Sequence, residues 1–531
     1  MRSRKVICLL ASAVLAVSCC GCDFVDALMG KDISVSQTDT GKISGRYDID
    51  AVAERVDALQ NLWEESGKEQ ELTDLIGQLL SDVDECYAIY AHAETEYHAD
   101  WDSRSKSERE QVTNQDYSEV YTMIMWAFVT GYKKSSYSEL FRQFIREEDI
   151  DYYLSSSLSR LRKAARSSTE SNSEFLDAYY DLAYDNSLDP DYTNRECAKL
   201  YLENIKQYDT SDYYYQDYHR DYTAEQASGM YEKIVKDFVP VYRELTQYLR
   251  NSPQYLQIKM NNKAVTDPFD TILQYAPKLS PRIAESAEKL VNGKRYVTGS
   301  GENCYDGGYT LSLPSENDAW MYIFLRNDFS DFFSVVHEFG HYHADWRDRT
   351  PIALHNNCTD LAEVQSNGME VLFTHYYPDI YGNDAKIMEI LSLYNLMDSL
   401  VSGFAVGEFE YEVMKNKESF SEDDVVTVFN RIHEDADLGI ELYQILHLFE
   451  QPGYYISYGV SALAALQIYS KAQTDYSAAI EQYEKIAETS SLDGSHLLMQ
   501  TLEDAGFDNL FEDSTFEQIL SAVRERINAL K

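Results

Sequence analysis

Residues 335 to 341 read Val335-Val336-His337-Glu338-Phe339-Gly340-His341, an HExxH pattern, and the rest of the chain is organised by how these seven are read. On an α-helix, side chains four residues apart leave the same face about one turn from each other, so the imidazoles of His337 and His341 can reach a single metal ion. Glu338 is turned roughly 100° from His337 at 3.6 residues per turn, which aims its carboxylate at a water beside the metal rather than at the metal. The chain has 11 histidines and 90 acidic residues among 531. Shuffling that composition would produce the pattern in fewer than about four per cent of chains, a moderate specificity. The surroundings add to it: Phe332, Phe333, Val336 and Phe339 suit a buried helix, and Asp328 or Ser330 can cap its start. The competing reading is a helix with two hydrogen-bonded histidines and no metal.

A catalytic zinc usually takes three protein ligands and keeps one position open. The metzincin continuation requires Gly at 344 and His at 347, where this chain has Ala344 and Arg347. A glutamate on a following helix is the alternative, and Asp360-Leu361-Ala362-Glu363-Val364-Gln365-Ser366-Asn367-Gly368-Met369-Glu370 offers two. They lie about two turns apart on one face. Either can bind the metal while the other orients a histidine through its far nitrogen. Glu363 is taken as the ligand and Glu370 as the orienting partner; a solvated helix glutamate is an equal reading of Glu370.

Composition bounds the rest. With 44% apolar and 26% charged residues, wholesale disorder and a multi-span membrane protein are excluded. A net charge of −44 repels nucleic acid and anionic lipid surfaces. The 43 tyrosines fill core and half-buried helix positions, with some available to line a polar groove. At the N-terminus a basic start (Arg2, Arg4, Lys5) precedes an apolar run from Val6 to Val17 and then Ser18-Cys19-Cys20-Gly21-Cys22. That is an export signal, too short for a stable span. A small residue before a cysteine looks like a bacterial lipoprotein processing site, so Cys19 is the expected lipidated residue, with Cys22 as runner-up and a plain secretory signal as the other reading. Lipidation would hold the protein on the outer face of the cytoplasmic membrane. The remaining cysteines, Cys86, Cys197, Cys304 and Cys358, have no CxxC spacing and make no cysteine zinc site.

Residues 1–22 are thus signal and anchor, and 23–45 a polar tether. Residues 46–290 carry apolar residues at three- and four-residue intervals, as in Leu72, Leu75, Ile76, Leu79 and Leu80, the pattern of a long helical half. In 291–531, the metal-binding half, a small sheet is expected from Gly307 to Leu313 and from Trp320 to Leu325, followed by helices to the C-terminus.

Taken together these segments resemble the thimet oligopeptidase and oligoendopeptidase F family of zinc metallopeptidases. The likeness runs from about Asn292 to Tyr469 through Gly293-Lys294-Arg295, Gly307-Gly308-Tyr309-Thr310, Ile323-Phe324-Leu325, the HExxH residues, Ala362 to Ser366, His447, and Pro452-Gly453-Tyr454-Tyr455-Ile456-Ser457-Tyr458. It implies a mainly α fold, an elongated helical body split by a deep channel with a small β-sheet beside the HExxH helix. It also implies one Zn2+ per chain on His337, His341 and Glu363, and short oligopeptides as substrates. From the same resemblance Tyr458 and His447 steady the tetrahedral intermediate, and Tyr455 is a further substrate contact. A phenol suits that task because it donates to an oxyanion without carrying charge. One departure is that Ala344 stands where the family has a third histidine, with His343 one place earlier and therefore on another face.

The expected activity is cleavage of internal bonds in short peptides, with Glu338 as general base and the substrate backbone paired to Gly308, Tyr309 and the Trp320 to Leu325 strand. The alternatives are a zinc exopeptidase and a catalytically inactive, lipid-anchored peptide-binding protein of the same fold. A monomer is favoured.

Overall fold

The computed structural model describes residues 46–146, 149–167, 174–185, 187–207, 218–262 and 267–531. The expected signal, the Cys19 site and the tether lie outside them.

Helices dominate, as expected, and their starts follow local chemistry. Asp189 accepts from the N–H groups of Asp191 and Tyr192 ahead of Pro190–Ile205 and so caps that helix. Ser280 caps Pro281–Asn292 by accepting from Ile283 N–H at 3.0 Å, with proline in the first turn where its missing N–H costs nothing.

Among the described residues three strands interrupt the helices: β1 Tyr296–Gly299, β2 Gly308–Leu313 and β3 Asp318–Phe324. The sheet order is β1-β3-β2, with β3 parallel to β1 and antiparallel to β2. This corrects one expectation. The Trp320 to Leu325 stretch was to offer a free edge to a peptide, yet β3 is the central strand and both its edges are occupied. The strand that takes the far edge, β1, is only four residues long and carried no alternation to mark it.

The sheet works as a partition, because side chains along a strand alternate between its faces. Tyr309, Leu311, Leu313 and Tyr322 face an apolar cluster built from the helices between Ile49 and Ser167, including the long pair Glu69–His98 and Arg104–Lys134. Ala319, Met321 and Ile323 face a second cluster that runs from Tyr179 to Leu530 and takes in Phe332, Phe333, Val335, Val336 and Phe339. The HExxH helix, Asp331–Asp345, lies against this second face and is buried from Asp331 to His343.

Its start carries no side-chain cap. Asp328 instead accepts from Ser330 N–H and Oγ at 2.8 and 2.6 Å, closing a turn before the helix. Behind it runs Thr359–Phe373, the helix that carries both candidate glutamates. The two backbones cross in contact at Gly340, where a Cβ would lie 2.6 Å from Ser366 Cα and 2.7 Å from Gln365 O. Only glycine lets the helices approach that far. A similar crossing joins Ala385–Asn416 to Tyr455–Thr474, where a Cβ on Gly403 would meet Gly459 N. These two crossings set the distances among the elements that build the site.

Candidate metal centre

His337, His341 and Glu363 converge, with one potential ligand atom from each within 4.8 Å of the others. Glu363 Oε2 lies 3.5 Å from His337 Nε2 and 3.9 Å from His341 Nε2. Ligands of a tetrahedral zinc at bond lengths near 2.0 to 2.2 Å are separated by about 3.3 to 3.6 Å, so this cluster is close to the size that a zinc ion needs. Both Nε2 atoms are buried and have no hydrogen-bond partner among the described residues, a costly state unless a cation is their partner. Two imidazoles and a carboxylate are also the donor set expected of a catalytic zinc. The residues therefore fit the metal.

Each ligand is held from behind. Glu370 Oε1 lies 2.7 Å from His337 Nδ1, the arrangement expected of a carboxylate that fixes an imidazole with Nε2 forward. Burial by itself favours neutral His337, but the carboxylates of Glu363 and Glu370 beside it outweigh that and hold its pKa well above the usual value, so zinc binding there would release a proton. His341, with burial dominant, is pushed down to about 4 and is neutral, as a ligand must be. Glu363 is fully buried; its Oε1 accepts from Tyr454 OH at 3.0 Å and its Oε2 from Ser366 Oγ at 3.3 Å.

Glu338 is equally buried. Thr310 Oγ1 donates to its Oε2 at 3.1 Å, while Oε1 has no partner. Burial pushes this carboxyl up to about 8, against the opposing influence of His337 and Thr310. Gly308 brings β2 onto it: a Cβ at Gly308 would stand 3.1 Å from Glu338 Cγ and Oε1. Because Phe324 N–H bonds to Gly307 O, the alternation of an antiparallel ladder turns the odd residues of β2 toward β3 and leaves the N–H and C=O of Gly308, Thr310 and Ser312 on the outer edge.

The C-terminal segment closes over this cluster. His447 is buried and stacks on Tyr454 with ring centroids 4.8 Å apart. Tyr458 stands edge-on to both, at 6.0 Å from His447 and 5.1 Å from Tyr454. Burial pushes His447 down to about 4. A cavity beside the cluster is lined by His337, Glu363, Asn367, Glu370 and Tyr458 together with residues of Ala385–Asn416.

Of the expected substrate contacts, Tyr309 turns its ring to the far face of the sheet and Tyr455 lies beside the cluster but outside the cavity lining. The Tyr309 ring points away from the metal, its hydroxyl 2.6 Å from His98 Nδ1 and its ring stacked on Tyr322. Strand alternation puts it on the opposite face from Gly308 and Thr310. Tyr455 is buried beside His447 and Tyr458 at 6.0 and 5.4 Å and is not among the residues lining the cavity. Conversely, Tyr454 and Thr310 make hydrogen bonds to Glu363 and Glu338 that the sequence did not single out, although both lie inside the segments that carry the resemblance.

His343 points away from the metal and is fully buried, with Nδ1 2.8 Å from Ser286 Oγ and Nε2 3.2 Å from Glu484 Oε2. Cys86, Cys197, Cys304 and Cys358 are free and buried.

The chain thus presents a helical fold in which an HExxH helix and a glutamate helix bring together two imidazoles and a carboxylate that could hold a metal ion. No family model and no curated protein match the sequence. Among solved structures, the chain superposes on one assigned as oligoendopeptidase F with a TM-score of 0.68 at 15% identity, over 92% of this chain and 98% of that one. A second, assigned likewise and from Bacillus anthracis, gives 0.66 at 17% identity over 91% and 97%. The M32 carboxypeptidase from Deinococcus radiodurans gives 0.52 at 13% identity over 86% and 99%. At these identities the likeness is one of fold, and the fold is the one that the oligoendopeptidase F resemblance implied.

Proposed function

We propose that the chain is a zinc metalloendopeptidase of short oligopeptides. The observation that carries this reading is the pair of partnerless Nε2 atoms facing Glu363, one residue from a buried Glu338 whose Oε1 is also partnerless. Held by His337, His341 and Glu363, a zinc ion would supply Lewis acidity toward a peptide carbonyl and an attacking water. Glu338 Oε1 takes the proton of that water and later delivers it to the leaving amine, while Thr310 fixes the other oxygen. Tyr458, which lines the cavity beside the cluster, and His447, whose ring meets it edge-on, would donate a phenol O–H and an imidazole N–H to the oxyanion. The outer edge of β2, rather than β3, aligns the substrate backbone through Gly308, Thr310 and Ser312, which makes selection by sequence loose. Burial of the cluster below the sheet and the C-terminal segment restricts entry to short, extended chains.

The fold shared with the M32 carboxypeptidase carries the second reading, an exopeptidase. Product masses from a peptide blocked at both termini separate the two. Internal fragments that disappear on adding a chelator support the endopeptidase. No cleavage of the blocked peptide, alongside trimming of the unblocked one, supports the exopeptidase.

The N-terminal pattern supports an exported lipoprotein anchored through Cys19 on the outer face of the cytoplasmic membrane. Cys19→Ser should release the protein from the membrane fraction. Retention in the Cys19→Ser chain together with release by Cys22→Ser would move the anchor to Cys22.

A further inference from the structure

A fully buried ion pair lies behind the metal ligands. The Arg220 guanidinium, 0% exposed, meets Asp360, 2% exposed, with Nε 3.2 Å from Oδ2 and 3.3 Å from Oδ1. Tyr222 OH also donates to Asp360 Oδ2, at 2.8 Å. Asp360 sits one turn before Glu363 on the same helix. From the other side of its fork, Arg220 Nη2 donates to Gly453 O and to Ser457 Oγ, both at 2.8 Å. The guanidinium covers the Tyr218 ring at 4.4 Å, and Tyr218 OH reaches Pro452 O at 3.2 Å and Gln451 O at 3.4 Å. Gly453, at φ +88°, donates its N–H to Glu410 Oε1 at 2.6 Å.

The polar backbone groups of Gln451, Pro452 and Gly453 are therefore held by the half-buried Tyr218 and by the buried Arg220 and Glu410 side chains. The next residue is Tyr454, whose hydroxyl holds Glu363 and whose ring stacks on His447. An ion pair placed only for stability is poorly justified, since apolar residues of the same volume often serve as well. A planar fork that can bond a carboxylate on one side and a carbonyl and a hydroxyl on another is suited to fixing two chain segments relative to each other.

We propose that Arg220 is a positioning residue for the metal site: it locks the Gln451 to Gly453 turn to the glutamate helix, and through Tyr454 it fixes the Glu363 carboxylate toward the two imidazoles. The inference rests on the zinc reading given above and adds to it a residue with no contact to metal or substrate.

The test is zinc affinity of the full chain, measured by competition with a chromophoric chelator, in wild type, Arg220→Lys, Tyr454→Phe and the double variant. Lysine keeps the charge beside Asp360 but cannot reach both sides. Each single variant should weaken zinc binding by about tenfold, the lower end of the range for groups behind a metal ligand. The double variant should be close to either single one, because both break the same link. Wild-type affinity in Arg220→Lys would overturn the inference, as would losses that multiply to about a hundredfold in the double variant. If Arg220→Lys lacks the helical circular dichroism of the wild type, Tyr218→Phe takes its place. Its expected loss of a few-fold should vanish in the Tyr454→Phe background, and an unchanged affinity would overturn the inference. A wild type that binds no zinc would overturn the metal reading along with it.

Discussion

One helix presents three buried histidines in two contrasting settings. His337 and His341 turn partnerless Nε2 atoms toward a carboxylate, whereas His343, less than one turn further on, has both ring nitrogens engaged by Ser286 and Glu484. All three are buried. Burial alone does not distinguish a metal ligand from a packed histidine; an unanswered polar atom inside the protein does, because leaving it unpaired costs stability that only a ligand restores.

The contrast can be broken most severely at His341. Replacing it with alanine should remove metal from the purified chain, with peptide cleavage lost in parallel; retention of stoichiometric zinc by elemental analysis would refute its role as ligand. Next in size is Glu370→Ala, which leaves all three ligands but frees the His337 ring. Zinc affinity should fall about 10- to 100-fold, with activity restored at high zinc. His343→Ala should do the reverse. Zinc affinity stays at the wild-type value while the apo-protein loses about 1 to 3 kcal/mol in urea unfolding, as expected when Ser286 and Glu484 lose a buried partner.

The smallest effect concerns pH. Burial would raise the Glu484 pKa, but hydrogen bonds and charge from His343, with Ser280 and Arg282, hold it down to about 2, below its ordinary 4.5. A carboxylate with a depressed folded-state pKa stabilises the fold above its unfolded value, and that contribution is lost as pH falls toward the folded one. Glu484→Gln should therefore be less stable than wild type near neutrality, and the gap should narrow between about pH 4.5 and 2. A gap independent of pH would assign the effect to packing.

Much of the centre was legible because its determinants are local. The i, i+4 spacing of His337 and His341 states their shared face outright, and the aromatic residues around them announce burial. Glu363 and Glu370 were harder: seven residues apart, they share a face, and only the long-range fold shows that one meets the Nε2 side and the other the Nδ1 side of His337. Tyr454 was missed because nothing local distinguishes it from its neighbour Tyr455 in a chain with 43 tyrosines. Its role depends on the Gly453 turn and on contact with a helix some ninety residues earlier in the sequence. Strand order was illegible for the same reason. The aromatic run of β3 predicts a strand but not that β1 and β2 flank it, and the alternation that turned Tyr309 away from the site could be phased only once the sheet's two faces were known.

The proposed peptidase depends on Glu338 acting as a base beside a zinc that His337, His341 and Glu363 would hold. Wild type and Glu338→Gln should be compared for zinc content and for cleavage of a quenched internal peptide, with and without chelator. The account predicts one zinc per chain in both, cleavage only in the wild type, its loss on chelation and its return with zinc; the variant should be slower by about 10²- to 10⁴-fold. Cleavage by Glu338→Gln at the wild-type rate, or wild-type cleavage indifferent to the chelator, would contradict it.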